Sequence, residues 1–68
     1  MTYGAKERVE QEAMQLEMRL RRLRGFMISD DIVKLSKEQR LLLRAQEGVM
    51  STYLDILRGR LSLWEEER

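Results

Sequence analysis

The sequence predicts an all-α protein: an antiparallel two-helix hairpin with a short helical turn in its connection, which self-associates into a helical bundle. An apolar repeat in the first third alternates spacings of four and three residues, as in a helix that packs against a partner helix. Proline is absent, and the good helix formers Leu, Arg and Glu dominate. The 68 residues include no cysteine for a disulfide. Self-association is therefore the expected way to complete so small a core.

The first helix is predicted from about Ala5 to about Met27. Its apolar seam contains Val9, Ala13, Leu16, Leu20, Leu23 and Met27. Thr2 is the expected N-cap. Acidic residues near the start and arginines near the end suit the helix dipole, which supports these limits.

The connection is predicted over 28–35 and the second helix over 36–64, so that residues 1–68 form a single domain. Ser29 and the two aspartates after it supply cap chemistry for a short helical turn. Ser36, with Gln39 three residues later, has the form of a capping box. A short connection makes the two helices antiparallel.

The second helix has a wider apolar surface than a hairpin requires. One stripe contains Leu43, Met50, Leu54, Leu57, Leu61 and Trp64. The other contains Leu42, Val49, Tyr53, Ile56 and Leu63. One stripe can face the first helix, and the other needs a different neighbour, most simply a second copy of the chain.

We accordingly expect an interface between copies on the second helix. Its predicted residues are Leu42, Val49, Met50, Tyr53, Ile56 and Leu57. The alternative is that the same apolar face receives a helix or groove of another protein.

The charge is distributed unevenly, although the net charge is only +1. Residues 19–44 hold eight Lys or Arg against three acidic residues, a charge of +5, and each flanking segment carries −2. The N-terminus is polar, so no secretory signal is expected. The longest apolar runs have three residues, so no membrane association is expected.

The usual signatures of an enzyme are missing. Without histidine or cysteine the chain lacks the common general base and thiolate. Its glycines are isolated and form no phosphate-binding loop. Carboxylates do not cluster on an apolar face. We therefore expect no enzyme activity, no metal site and no cofactor.

One candidate site for an anionic ligand consists of polar residues beside the apolar stripe of the second helix. Its members are Arg8, Gln46, Tyr53 and Arg60. As a structural network they would fix the helix register, with Arg60 paired to Glu12 or another carboxylate. As a pocket between chains, Tyr53 would stack on a base and the arginines would hold a phosphate.

The loop end of the hairpin offers an alternative anion patch. Its members are Arg21, Arg24, Lys37 and Arg44. Complementing the helix dipole and keeping the chain in solution is the simpler explanation for them. Nucleic acid is not an expected partner, because the overall charge is near neutral and no aromatic residues alternate with the arginines.

A longer pattern of residues points to a family. It consists of Glu7-Arg8-Val9, Glu12, Leu16, Leu20, Leu23, Phe26, Leu35-Ser36, Leu42-Leu43, Gln46, Met50, Tyr53, Ile56-Leu57 and Arg60-Leu61. Over about residues 6–63 the chain resembles a family of small helical-hairpin proteins of tailed phages and prophages. It is more distantly similar to the phage hairpin sponges directed against the CBASS and Thoeris defences, whose oligomers sequester cyclic nucleotide signals.

The resemblance implies a phage accessory protein that acts against host defences in the host cytoplasm. On this hypothesis a homo-oligomer binds a nucleotide immune signal, such as a cyclic nucleotide or another phosphorylated small molecule, without transforming it. The main alternative is a helical adaptor or inhibitor that binds a host protein through the apolar face of the second helix. A structural or nucleic-acid-coating protein is a third hypothesis.

Overall fold

The computed structural model describes residues 4–66 and shows a helical hairpin. Helix α1 spans Ala5–Met27, a 3₁₀ turn spans Asp30–Lys34, and helix α2 spans Lys37–Glu66. The predicted all-α hairpin, with a short helical turn in its connection, is therefore confirmed, whereas self-association into a bundle stays a prediction. Neither described helix is long and apolar enough to cross a membrane.

The start and end of α1 are fixed by local hydrogen bonds. The N-cap is Gly4, whose N–H donates to the Glu7 carboxylate over 2.8 Å, the backward half of a capping box. The predicted cap, Thr2, lies outside the described residues. At the other end the Ser29 hydroxyl donates to the carbonyl of Phe26 over 2.7 Å, so this side chain helps to end α1 rather than to begin the 3₁₀ turn.

The start of α2 follows the predicted signal. The Ser36 hydroxyl accepts a hydrogen bond from the backbone N–H of Gln39 over 3.1 Å, which satisfies one of the free donors of the first turn. The helix then continues without a break to Glu66, two residues beyond the predicted end.

The core of the hairpin is a single layer between the two helices. Its buried residues are Val9, Ala13, Leu16, Leu20, Leu54 and Leu57. Met50, Leu61 and Trp64 pack against this layer and are partly buried. The stripe of α2 that contains Leu57 therefore faces α1, as one of the two stripes was expected to do.

One residue of the predicted interface between copies needs correction. Leu57 is 0% exposed, so it serves the hairpin itself and has no surface left for a second chain. Met50 packs against the buried core but is only partly buried. By contrast, Leu42, Val49, Tyr53 and Ile56 are exposed.

Ion pairs join the helices along one long edge of the hairpin, which we call the ionic edge. They are Lys6–Glu65 at 3.3 Å, Glu17–Arg58 at 3.0 Å and Arg24–Glu47 at 2.9 Å. Each lies on the surface and adds little stability singly. Together they span nearly the full length of the antiparallel pair and define its register.

The core assignment predicts a sharp contrast between two truncations. Leu57→Ala should lower the free energy of unfolding by about 2–5 kcal/mol, because it opens a cavity at a fully buried position. Met14→Ala removes a side chain that is 63% exposed on α1, and should change stability by no more than about 0.5 kcal/mol. Chemical denaturation followed by circular dichroism measures both. Equal losses would contradict the assignment.

Candidate functional site

The long edge opposite the ionic edge carries a different set of side chains, which we call the polar seam. Its members are Arg8, Glu12 and Arg19 from α1 and Gln46, Tyr53 and Arg60 from α2. Helical spacing places each set along one side of its helix. One contact joins the two sets: the Tyr53 hydroxyl donates a hydrogen bond to the Glu12 carboxylate.

The contact with Glu12 shifts the pKa of Tyr53. The hydrogen bond to this carboxylate, assisted by desolvation and by the negative charge, raises the pKa of Tyr53 above its ordinary value of 10.0. The positive charge of Arg60 acts in the opposite direction. A tyrosine hydroxyl is protonated at neutral pH and therefore acts as the donor in this contact. The contact holds the ring of Tyr53, whose residue is 41% exposed, at the edge of the hairpin.

Arg60 does not pair with Glu12, as one interpretation of the sequence had it. Its guanidinium carbon lies 5.8 Å from the centroid of the Trp64 ring, a cation–π distance. No carboxylate within residues 4–66 forms an ion pair with it. A guanidinium stacked on a ring keeps its planar fork of N–H donors available for an anion.

The other two predicted ligand-binding residues lie further along the seam. Arg8 precedes Glu12 by one helical turn, is exposed, and has no ion-pair partner in the described part of the chain. Gln46 donates to the sulfur of Met50 over 3.8 Å, and sulfur is a weak acceptor. Seven residues of helix separate Gln46 from Tyr53, about 10 Å, so the seam is elongated rather than compact.

Arg19 belongs to the same seam and was not predicted. It follows Glu12 by seven residues, is exposed, and lacks an ion pair among the described residues. The heptad spacing from Glu12 is the sequence signal that identifies it. The seam therefore presents three arginines without carboxylate partners within 4–66, namely Arg8, Arg19 and Arg60.

The alternative anion patch at the loop end is partly neutralised. Arg21 pairs with Glu17 over 3.0 Å. Arg24 pairs with Glu47 over 2.9 Å and also donates to the Ser51 hydroxyl. Lys37 and Arg44 are exposed. Because two of its four cations already have carboxylate partners, this patch is a weaker candidate than the polar seam.

The outer face of α2, turned away from α1, forms a shallow apolar groove of about 680 Å³, which we call the outer groove. It is lined by Ala45, Gly48, Val49, Thr52, Tyr53 and Ile56. Val49 is 71% exposed, although it is fully apolar. Tyr53 belongs to both the groove and the seam, so the two features are continuous.

Comparison with known proteins gives one clear result. The family model of Sequestin matches residues 4–63, which include both helices and their connection. The chain belongs to the Sequestin family. The family name suggests that its members sequester a partner, so a binding role for this chain has support from outside its own geometry. No curated protein and no solved structure matches the chain.

The Tyr53–Glu12 contact predicts how the protein responds to alkali. Because the pKa of Tyr53 is raised in the folded state, the stabilisation from the contact is present below pH 10 and is lost as the pH rises through the folded-state pKa. Glu12→Gln should lower the pKa of Tyr53, and Arg60→Ala should raise it. Tyrosinate absorbance during an alkaline titration measures both effects.

Glu10→Gln is the matched control for this titration, since Glu10 is exposed and is no cause of the pKa shift of Tyr53. A titration of Glu12→Gln that superimposes on the wild type would show that the hydrogen bond is absent in solution.

Proposed function

We propose that this protein is a phage accessory protein that acts against host defences. It would be a homo-oligomer that binds and sequesters a nucleotide immune signal without transforming it. The observation that carries the proposal is the polar seam. Three arginines without carboxylate partners among residues 4–66 lie along the same edge as the exposed ring of Tyr53. The family membership supports the sequestering role, and the resemblance to phage hairpin proteins supports the direction against host defences.

The seam offers each type of contact that a nucleotide requires. The guanidinium forks of Arg8 and Arg60 suit phosphate oxygens, which they bind with paired hydrogen bonds. The ring of Tyr53 offers a face on which a base can stack. One carboxylate oxygen of Glu12 accepts the hydrogen bond from the Tyr53 hydroxyl. The other carboxylate oxygen can accept a hydrogen bond from an N–H group of the base.

The length of the seam favours a ligand with well-separated polar groups. Tyr53 and Arg60 lie seven residues apart on α2, about 10 Å along the helix. A cyclic di- or trinucleotide or a cyclic ADP-ribose presents bases and phosphates over such distances. The proposed action is binding alone, carried out in the host cytoplasm, and it needs no nucleophile or general base.

Thermal-shift measurements and calorimetry against a panel of cyclic di- and trinucleotides and cyclic ADP-ribose isomers test the proposal. A ligand present at 100 times its dissociation constant should stabilise the fold by about 2.7 kcal/mol. Arg60→Ala should weaken binding about 10- to 100-fold, since a hydrogen bond to a charged group contributes about 1.5–3 kcal/mol. Tyr53→Ala should abolish measurable binding, and Arg8→Ala should weaken it.

Arg22→Ala is the matched control, because Arg22 is an exposed arginine of α1 outside the proposed site. It should leave the dissociation constant unchanged. If Lys37→Ala and Arg44→Ala abolish binding while Arg60→Ala leaves the dissociation constant unchanged, the loop-end patch is the site.

The outer groove supports a second candidate function, a helical adaptor or inhibitor that binds a host protein through α2. Large exposed apolar residues such as Val49 and Ile56 suit the apolar face of a partner helix. This function predicts no stabilisation by any nucleotide of the panel. It also predicts one host protein retained at defined stoichiometry by the wild type and released by Val49→Asp.

A further inference from the structure

The Tyr53–Glu12 contact determines which residues of the two helices face each other along the polar seam. Because α1 and α2 are antiparallel, seven residues forward on α1 and seven residues backward on α2 reach the same level of the hairpin. From the contact, these steps lead to Arg19 on α1 and to Gln46 on α2. Arg19 and Gln46 therefore face each other across the seam, about 10 Å from Tyr53 on the side of the connection.

Arg60 occupies the corresponding position on the other side of the contact. It follows Tyr53 by seven residues on α2, just as Arg19 follows Glu12 by seven residues on α1. Side chains of a helix lean toward the N-terminus of that helix. Since the two helices run in opposite directions, Arg19 and Arg60 both lean back toward the Tyr53–Glu12 contact, from opposite ends of the seam.

Two observations support this placement of Arg60. Its positive charge lowers the pKa of Tyr53, which requires the guanidinium to lie near the tyrosine hydroxyl. The ring of Trp64 lies on the other side, with its centroid 5.8 Å from the guanidinium carbon. Arg60 is therefore held between the two aromatic residues of the seam.

The groups at the level of Arg19 are available for a ligand. Arg19 is exposed and forms no ion pair in the part of the chain that the structure describes. Gln46 donates to the sulfur of Met50 over 3.8 Å, a weak bond that a better acceptor can replace. Together they offer the planar fork of a guanidinium and an amide N–H to the oxygens of an anion.

Glu12 determines where the anionic groups of a ligand can lie. Its carboxylate lies between the levels of Arg19 and Arg60 and repels an anion placed directly over the contact. Phosphates are therefore directed outward, to the two arginines, whereas the middle of the seam suits an uncharged ring on Tyr53.

We propose that Arg19, assisted by Gln46, forms a second anion-binding position of the polar seam, and that the seam thereby selects ring-shaped nucleotides over mononucleotides. The inference rests on the proposed function, in which a base stacks on Tyr53 and Arg60 binds a phosphate. The backbone of a ring-shaped nucleotide leaves the stacked nucleoside in two directions, so it can reach both arginines. A mononucleotide carries its phosphate on one side of the sugar and reaches one arginine only.

The second position, rather than the first, is the source of the selectivity. Specificity is a difference between two affinities, so a contact that only one class of ligand can make favours that class alone. Stacking on Tyr53 and the bond to Arg60 serve both classes. The contact with Arg19 is the one that a mononucleotide loses.

Calorimetry on the full chain tests the proposal with two groups of probes. The first group is the panel of cyclic di- and trinucleotides and cyclic ADP-ribose isomers, and the second is AMP and GMP. Arg19→Ala should weaken the binding of the ring-shaped nucleotides about 10- to 100-fold, as expected for a lost hydrogen bond to a charged group. It should leave the binding of AMP and GMP unchanged, whereas Arg60→Ala should weaken the binding of both groups.

Two further variants exclude an indirect effect of the substitution. Arg19→Lys keeps the positive charge but not the planar fork, so it should recover part of the affinity that Arg19→Ala loses. Arg22→Ala removes an exposed arginine of α1 outside the seam and should leave the binding of both groups unchanged.

The outcomes separate this inference from the proposed function. A ring-shaped nucleotide that binds Arg19→Ala as tightly as the wild type, yet loses affinity in Arg60→Ala, would overturn the second position and leave the proposed function standing. An equal loss of affinity for AMP, GMP and the ring-shaped nucleotides would overturn the selectivity. If no ring-shaped nucleotide binds the wild type, both the inference and the proposed function are wrong.

Discussion

The structure depends on one mismatch between its two helices. Helix α1 has a single apolar stripe, centred on Val9, Ala13, Leu16 and Leu20, and it covers only one of the two stripes of α2. The covered stripe forms the core, in which Leu57 is completely enclosed. The uncovered stripe remains as the outer groove. The polar seam lies between the two stripes, so its position and its exposure both follow from the width of the apolar surface of α2.

The fold could be predicted from the sequence because its determinants are local. Helical periodicity, the Ser36 cap and the short connection act within a few residues of one another, and the structure keeps all three. The sequence also separated the two stripes of α2, yet Leu57 was expected at the interface between copies. The stripes are neighbours on one helix, and only the docking of α1 distinguishes Leu57, fully buried, from Val49, largely exposed.

The side-chain partners could not be predicted in the same way, because they depend on the register between helices. Arg24 and Glu47 are 23 residues apart in sequence and meet only in the folded hairpin. That pair and the Arg21–Glu17 pair neutralise two of the four cations of the loop-end patch, which the sequence predicted as an alternative anion site. Glu12 meets Tyr53 rather than Arg60 for the same reason. Spacing could identify which residues share an edge, as it does for Arg19, but it could not identify which of them touch.

The unequal ion pairing of the two long edges is the step that links this fold to the proposed function. Carboxylates on the ionic edge compensate Lys6, Arg24 and Arg58, whereas the seam keeps Arg8, Arg19 and Arg60 without carboxylate partners within 4–66. Exposed arginines bind anions weakly, because solvent and salt screen them. Covering the outer face with a second chain would lower the local dielectric around the same arginines and strengthen their attraction for phosphate. Assembly and ligand binding would then favour each other, since a ligand that binds only the assembled form stabilises that form by mass action. The outer face of α2 would thereby complete the apolar core of this small chain and also strengthen its binding of the ligand.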